Sequence, residues 1–158
     1  MATSKNSTKP AAGQETHSKS RPLPENYKGP DHAQMAAQYA ADVISGKVPA
    51  GPWVIKAAQR HLRDLERAKN EPAYPYYFHD QDGAKVCRFI EKLPHTKGEW
   101  ARNKEIIVLQ PWQCFLIVTL FGWKKKKNYK RRFRVAYWEI PRKNGKSIFG
   151  AGIGLYML

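Results

Sequence analysis

The stretch with the clearest chemical potential is IPRKNGKS, at positions 140–147. A phosphate-binding loop reads G-x-x-x-x-G-K-[ST]; Gly145, Lys146 and Ser147 supply its last three letters, and Ile140 stands where the first glycine would be. In such a loop, backbone N–H groups at the start of a helix surround a phosphate, and the glycine permits its close approach. The lysine reaches the β- and γ-phosphate oxygens, and the serine hydroxyl binds Mg²⁺. These residue types therefore predict a nucleotide site.

The rest of this loop is basic and polar, and we include Arg142, Lys143 and Asn144 among the predicted nucleotide-binding residues. Arg142 and Lys143 add two cations beside the position at which charge develops on a γ-phosphate. We therefore expect Arg142 to stabilise a transition state in cis and to act with Lys146 as a catalytic residue. The alternative is that the letters GKS occur by chance in a basic turn.

A phosphate-binding loop must lie between a strand and a helix. The segment RFRVAYWEI, 132–140, is rich in β-branched and aromatic residues, which predicts a strand that enters a sheet buried on both faces. KSIFGAGIGLYML, 146–158, is apolar with small residues on several sides, which predicts a helix packed closely against that sheet. The order of strand, tight loop and helix is the context that the motif requires.

Four helices are predicted upstream, because apolar residues recur there at helical spacing. Their approximate bounds are Asp31 to Gly46, Val54 to Lys69, Val86 to Leu93 and Pro111 to Gly122. The letters IIVL at 106–109 predict a short strand or an extended lead-in to the fourth helix. Residues 1–30 carry few large apolar side chains, so they are predicted to form a disordered basic tail.

Composition indicates a polyanionic partner. The chain has 158 residues, with 28 Lys and Arg against 13 Asp and Glu, for a formal net charge of +15. Cys87 and Cys114 form no CxxC motif, so neither a disulfide framework nor a zinc site is indicated. The sequence also lacks an apolar run of membrane-spanning length and a signal-peptide core, which predicts a soluble, cytoplasmic protein with no membrane partner.

The most concentrated positive charge is the run KKKKNYKRRFR, 124–134. One interpretation is a solvated loop and hinge, and the other is contact with the phosphate backbone of nucleic acid. The second interpretation makes seven residues candidates for DNA binding: Lys124, Lys125, Lys126, Lys127, Lys130, Arg131 and Arg132.

Three stretches together, RRFRVAYWEIPRKNGKS, LQPWQCFLIVTLFGW and AAQRHLRDLE, resemble the N-terminal part of the large terminase subunit of tailed phages, the motor ATPase that packages DNA. The resemblance extends over roughly Gln34 to Leu158. Its most specific parts are the deviant Walker A motif RKNGKS and the block that begins PWQ and ends LFGW. It implies ATP and Mg²⁺ as ligands. It also implies that Gln113 contacts the adenine; Gln110 is a second candidate, and a solvated surface role for Gln113 is the alternative.

The resemblance implies an α/β fold class, with N-terminal helices followed by the first strand, P-loop and helix of an additional-strand P-loop ATPase domain. We expect a tail at 1–30, a helical region at 31–110 and the start of the ATPase domain at 111–158. The resemblance further implies double-stranded DNA, a small terminase subunit and a portal as partners, and a homo-oligomeric ring. It also implies that the protein is encoded by a phage or prophage and acts in a bacterial host cell.

The resemblance also implies that the family's Walker B acids and nuclease carboxylates lie beyond these residues. We therefore expect this chain alone to be inactive and to be the front of a longer ATPase and nuclease. Two rival interpretations stay open, which are a different P-loop ATPase or helicase and a non-enzymatic basic module that binds nucleic acid.

Overall fold

The computed structural model describes residues 30–96 and 98–158, so the predicted tail lies outside the described residues except for Pro30. Six helices and two short strands form in these ranges. Their order is α1 His32–Ile44, α2 Pro52–Asn70, β1 Tyr76–Phe78, α3 Asp80–Glu91, α4 Gly98–Arg102, α5 Pro111–Gly122, β2 Trp123–Lys125 and α6 Lys146–Met157.

Local sequence signals set the ends of the first two helices. The Asp31 carboxylate accepts hydrogen bonds from the N–H groups of Ala33 and Gln34, which satisfies two donors that the first turn of α1 leaves free. Gly46 follows α1 with a φ of 76°, the left-handed conformation that glycine adopts most readily. Pro52 occupies the first turn of α2, where its missing N–H costs nothing. The predicted helices at these positions are confirmed.

The core forms where α5 lies against α1 and α3. Gly83 of α3 permits the closest approach, since a Cβ there would stand 2.4 Å from the Cα of Val118 on α5. The predicted boundary between the helical region and the ATPase domain falls after residue 110. Buried apolar residues from helices on both sides of this boundary form one cluster, which includes Ile90, Ile117 and Phe149. The predicted helices of α3 and α5 are confirmed, and α4 was not predicted.

A two-stranded antiparallel sheet joins two distant parts of the chain. In it Tyr76 pairs with Lys125 and Phe78 pairs with Trp123. One interpretation of the basic run placed Lys124 and Lys125 in a solvated loop and hinge, and it is wrong for these two residues because both are paired in β2. Trp123 is fully buried and packs against Phe78 with ring centroids 5.1 Å apart.

The predicted strand at 132–140 does not form. Among the described residues, only the start of this segment pairs with a neighbour: the Arg132 N–H donates to the Trp123 carbonyl at 2.8 Å, and Arg131 forms an isolated bridge with Lys124. The remainder contains no assigned strand and leaves Val135 and Tyr137 88% and 86% exposed. High β-propensity makes a strand only where another strand accepts and donates its backbone hydrogen bonds.

Helix α6 forms as predicted, but its partner is a helix and not a sheet. It lies against α3, where a Cβ on Gly152 would be 3.0 Å from Ile90 Cγ1. The rings of Phe89 and Tyr156 lie 5.4 Å apart across the same contact. The small residues of α6 thus permit a close approach between two helices in this structure. The described residues combine helices with a small sheet, which is compatible with the α/β class, and the predicted domain bounds stay a prediction.

Candidate functional site

The basic loop ends at the N-terminus of α6, as a phosphate-binding loop does. Gly145 is the N-cap with a φ of 69°, and its carbonyl accepts the first helical hydrogen bond from the Phe149 N–H at 3.0 Å. The N–H groups of Lys146 and Ser147 belong to the first turn, which has no intrahelical acceptors for them. All residues from Pro141 to Ser147 are exposed. The N–H groups of this turn and the helix dipole therefore face solvent, where they favour an anion.

The loop itself holds an uncommon backbone conformation. Lys143 has a φ of 67°, which non-glycine residues rarely adopt and which costs about 1–3 kcal/mol when it is enforced. The Asn144 side-chain amide donates to the Arg142 carbonyl at 3.2 Å and so bridges the turn around Lys143. This turn directs the side chains of the loop toward two different sides.

One side of the loop borders a cleft of about 460 Å³. Lys143, Asn144 and Gly145 contribute the loop wall, and Gln110 and Gln113 at the start of α5 contribute the polar part of the opposite wall. The sequence motif and the adenine-contact candidates, which are separated by about thirty positions, are thus brought together here. A volume in this range is typical of small-molecule sites.

The other side of the loop borders a second cleft of about 570 Å³. Arg142 and Lys146, the two predicted catalytic residues, line it together with Glu139 and Trp53. Trp53 lies at the start of α2 and is 79% exposed. Sequence reasoning missed Trp53, since nothing in its local pattern relates it to a loop so far along the chain. Six of the seven predicted nucleotide-binding residues therefore divide between two clefts that share the loop as a common wall, and Ser147 lines neither cleft.

Gln113 is buried, so its predicted alternative as a solvated surface residue is wrong. Its Oε1 atom accepts a hydrogen bond from the Gln110 N–H at 2.8 Å, which is one half of a capping box at the start of α5. Its Nε2 atom lies 3.9 Å from the point where a Cβ on Gly145 would stand. The side chain thus uses its acceptor to hold the helix end and turns its donor toward the loop.

A partly buried polar contact fixes the lead-in to α5 beside this cleft. Glu91, at the end of α3, accepts hydrogen bonds from the His32 ring at 2.8 Å and from the Leu109 N–H at 2.9 Å. The segment IIVL, 106–109, was predicted to be a short strand or an extended lead-in to α5. It is the extended lead-in, since its only strand-like pairing among the described residues is an isolated bridge between Pro94 and Ile106. Helices α1 and α3 therefore jointly hold the segment from which Gln110 begins the next helix.

A second contact anchors the segment that leads into the loop. Arg132 donates to the Asp64 carboxylate at 2.7 Å and to the Tyr74 hydroxyl at 2.9 Å, and its guanidinium lies 4.3 Å from the ring centroid of Tyr76. The Asp64 side chain is only 4% exposed, so it is a nearly buried charge that needs this partner. Arg132 was predicted to bind DNA, but in this structure its guanidinium forms an ion pair with Asp64 inside the protein.

The other candidates in the basic run also differ in their surroundings. Lys124 pairs with Asp82, the Lys126 ammonium donates to the Pro72 carbonyl at 3.3 Å, and the Arg131 guanidinium lies 5.0 Å from the Phe121 ring centroid. Among the described residues, no ion pair is found for the remaining members of the run: Lys125, Lys127 and Lys130. Their predicted role in DNA binding stays a prediction.

His61 has a structural environment. It is buried on α2 and its Nδ1 atom accepts a hydrogen bond from the Trp123 indole N–H at 3.0 Å. Burial lowers its pKa from 6.5 to about 4, and the opposing charge of Asp64 offsets only part of that effect. His61 is therefore neutral near pH 7 and connects α2 to β2.

The donor set around the loop fits a nucleotide phosphate. It consists of N–H groups at a helix N-terminus, the cations Lys146 and Arg142, and the Ser147 hydroxyl. Within residues 30–96 and 98–158, no cluster of three or more His, Cys, Asp or Glu side chains could hold a metal ion. For Mg²⁺, the loop therefore offers the Ser147 hydroxyl beside the phosphate oxygens of the nucleotide itself. No helix in the described ranges is long and apolar enough to span a membrane.

The exposed loop at the N-terminus of α6 favours an anion such as a phosphate, although the strand that precedes such loops is not formed here. Residues 111–158 match the family described as "Terminase large subunit, ATPase domain". The match confirms the predicted resemblance over these residues. Over residues 34–110 the resemblance stays a prediction. No match was found among curated proteins or among solved structures.

Proposed function

We propose that this chain is the ATP-binding front of a phage terminase large subunit, a motor that couples ATP hydrolysis to the packaging of double-stranded DNA. The match of residues 111–158 to the terminase ATPase domain is the observation that carries the proposal. The loop geometry supports it, because Gly145, Lys146 and Ser147 begin a helix with their polar groups exposed. The small terminase subunit, the portal and a homo-oligomeric ring in the bacterial cytoplasm belong to the same proposal.

In this proposal Arg142, Lys146 and Ser147 of the loop have distinct roles in nucleotide binding. The N–H groups at the start of α6 and the Lys146 ammonium hold the β- and γ-phosphates. The Ser147 hydroxyl binds Mg²⁺, which neutralises charge on the phosphates when it is bound. Arg142 meets the charge that develops on the γ-phosphate during transfer, so it contributes more to rate than to ground-state binding. Gln113 faces the loop from the opposite wall and contacts the adenine.

The rival interpretations explain fewer of the observations. A non-enzymatic basic module would account for the net charge of +15, but it needs neither the GKS loop nor its place at a helix N-terminus. A different P-loop ATPase or helicase would account for the loop, but the family match is to a terminase ATPase domain. The proposal accounts for the charge, the loop and the match together.

Replacement of Lys146 by alanine tests the proposal through nucleotide binding. We expect a fluorescent ATP analogue to bind about 10- to 100-fold more weakly, since a hydrogen bond to a charged group contributes about 1.5–3 kcal/mol. Thermal unfolding should be unchanged, because the Lys146 side chain is exposed. Titration of the fluorescence signal measures the affinity directly and requires no turnover.

Lys69→Ala is the matched control, since it removes the same charge from an exposed position. Lys69 lies in the last turn of α2, whereas Trp53, which lines the cleft with Lys146, lies in the first turn. The Lys69 variant should bind the analogue as the unchanged chain does. Equal affinity of the Lys146 and Lys69 variants, both folded, would show that the loop is not a phosphate site.

A further inference from the structure

The exposed side of α2 carries a row of four cations. Lys56, Arg60, Arg63 and Arg67 follow one another at intervals of four, three and four residues, which places them along one face of a helix. All four are exposed, and Trp53 precedes them at the same spacing. At about 1.5 Å per residue, the row is about 17 Å long. We call Lys56, Arg60 and Arg63 the α2 stripe.

The part of the protein that the structure describes does not neutralise the α2 stripe. No ion pair is found for its three members among the described residues, while Arg67 at the end of the row pairs with Glu71. The only carboxylate that α2 buries, Asp64, is already occupied by Arg132. The positive charge of this face is therefore available to an external partner.

Aromatic rings, rather than carboxylates, hold two of these cations in place. The Lys56 ammonium lies 4.7 Å from the Trp53 ring centroid, and the Arg60 guanidinium lies 4.9 Å from the Phe133 ring centroid. A contact of this kind restricts the side chain without cancelling its charge. Ordering of the cations before binding lowers the entropy cost of holding a partner.

The stripe runs toward the candidate nucleotide site. Trp53, which contacts Lys56, lines the same cleft as Arg142 and Lys146. Phe133, which contacts Arg60, lies in the segment that leads into the loop. A polyanion that lies on α2 is therefore close to the segment that leads into the nucleotide loop.

We infer that the α2 stripe binds the phosphate backbone of duplex DNA. The α2 stripe is about 10 Å long, and a stretch of B-form duplex of that length carries about six phosphate charges, so the three cations can meet several of them at once. Backbone contacts of this kind carry no base specificity, as a motor that moves along any sequence requires. This inference rests on the proposed function for its choice of duplex DNA. It assigns DNA contact to α2, whereas the basic run after α5 has part of its charge occupied internally.

The test compares two triple variants with equal charge. K56Q/R60Q/R63Q removes the stripe, and K69Q/K85Q/K92Q removes the same charge from exposed positions off it. Fluorescence anisotropy with a labelled duplex, repeated over a range of salt concentrations, gives the affinity and its salt dependence. We expect the stripe variant to bind at least about tenfold more weakly, with a salt slope smaller by about two to three, since each lost phosphate contact removes about 0.9. The off-stripe variant should keep both values.

Two further measurements protect this comparison. R60K/R63K keeps the charge and should keep the affinity for the duplex, which separates loss of charge from damage to the fold. Thermal unfolding shows whether each variant is folded. Equal weakening by both triple variants would overturn the inference, because binding would then depend on total charge alone. Binding of a single-stranded RNA of the same length as tightly as the duplex would overturn the assignment to duplex DNA.

The stripe variant should bind the fluorescent ATP analogue normally, because none of its three residues lines the loop. This result separates the two proposals. If the unchanged chain fails to bind the nucleotide while the duplex still depends on the stripe, the proposed function fails and the DNA-binding surface stands. If the nucleotide binds and the duplex ignores the stripe, the inference fails alone.

Discussion

At the scale of single residues, Gln113 shows how one side chain can serve both the fold and the site. Its Oε1 atom holds the Gln110 N–H, while its Nε2 atom faces the loop at Gly145. A carboxamide oxygen has two lone pairs, so the helix cap does not consume all of its capacity to accept. The buried position of Gln113 therefore leaves its proposed contact with adenine chemically open.

Substitution of Gln113 can separate these two roles. Gln113→Glu keeps an oxygen for the Gln110 N–H but loses the amide donor, so we expect a weaker preference for ATP over GTP. Gln113→Ala loses both, and removal of the cap should also lower the free energy of unfolding by about 1 kcal/mol. Competition binding and urea unfolding measure the two effects. If both nucleotides weaken equally in the glutamate variant, Gln113 acts only as a helix cap.

The residues of the site that could be predicted from the sequence are those that form one contiguous motif. Gly145, Lys146 and Ser147 specify a loop because their chemistry depends on adjacent backbone groups. Trp53 could not be predicted, because its place on a wall of the cleft depends on how α2 packs against the rest of the chain. Likewise, no local pattern shows that Arg132 would be occupied by Asp64.

At the scale of elements, the helices were predicted because their signals are local. Caps such as Asp31, the early prolines of α2 and α5, and apolar residues at helical spacing all lie within the element that they specify. Strands β1 and β2 were missed because their pairing joins distant segments, and each is only three residues long. The opposite error occurred at 132–140, where β-propensity is high but the described residues offer no neighbouring strand beyond its start.

The contact between α2 and β2 makes stability depend on pH. The pKa of His61 in the folded state is lowered by burial to about 4, below its ordinary value of 6.5, so between these values the unfolded chain binds the proton and the folded chain does not. The stabilising effect is therefore complete above about pH 6.5 and is lost as the pH falls toward 4. We expect this residue to lower the free energy of unfolding by about 2 kcal/mol between pH 7 and pH 5.

His61→Gln provides the comparison, since it has an amide oxygen for the Trp123 indole and no proton to gain in this range. Urea unfolding at both pH values gives the difference between the two chains. The variant is expected to be less stable at pH 7 and to lose less stability on acidification. An identical pH dependence in both chains would assign the effect to other groups.

At the scale of the whole molecule, the structure leaves apolar side chains exposed at 132–140 and on α6. Val135 and Tyr137 stand almost fully in solvent, and Leu155 and Met157 are each 53% exposed. The backbone beyond Arg132 bonds to no neighbouring strand among the described residues, so it presents free N–H and C=O groups beside these side chains. An exposed segment with both features is a template for pairing with another chain.

We therefore expect the 158-residue chain to self-associate through this segment as its concentration rises. V135K/Y137K should shift it toward a monomer, because the two lysines disfavour pairing of like segments and replace side chains that contribute little to the fold. Size-exclusion chromatography with light scattering over a range of concentrations measures the change. Q34K/Q81K adds the same charge at exposed positions elsewhere and should leave the association intact. If the two variants behave alike, net charge controls the association, and the segment at 132–140 does not template pairing between chains.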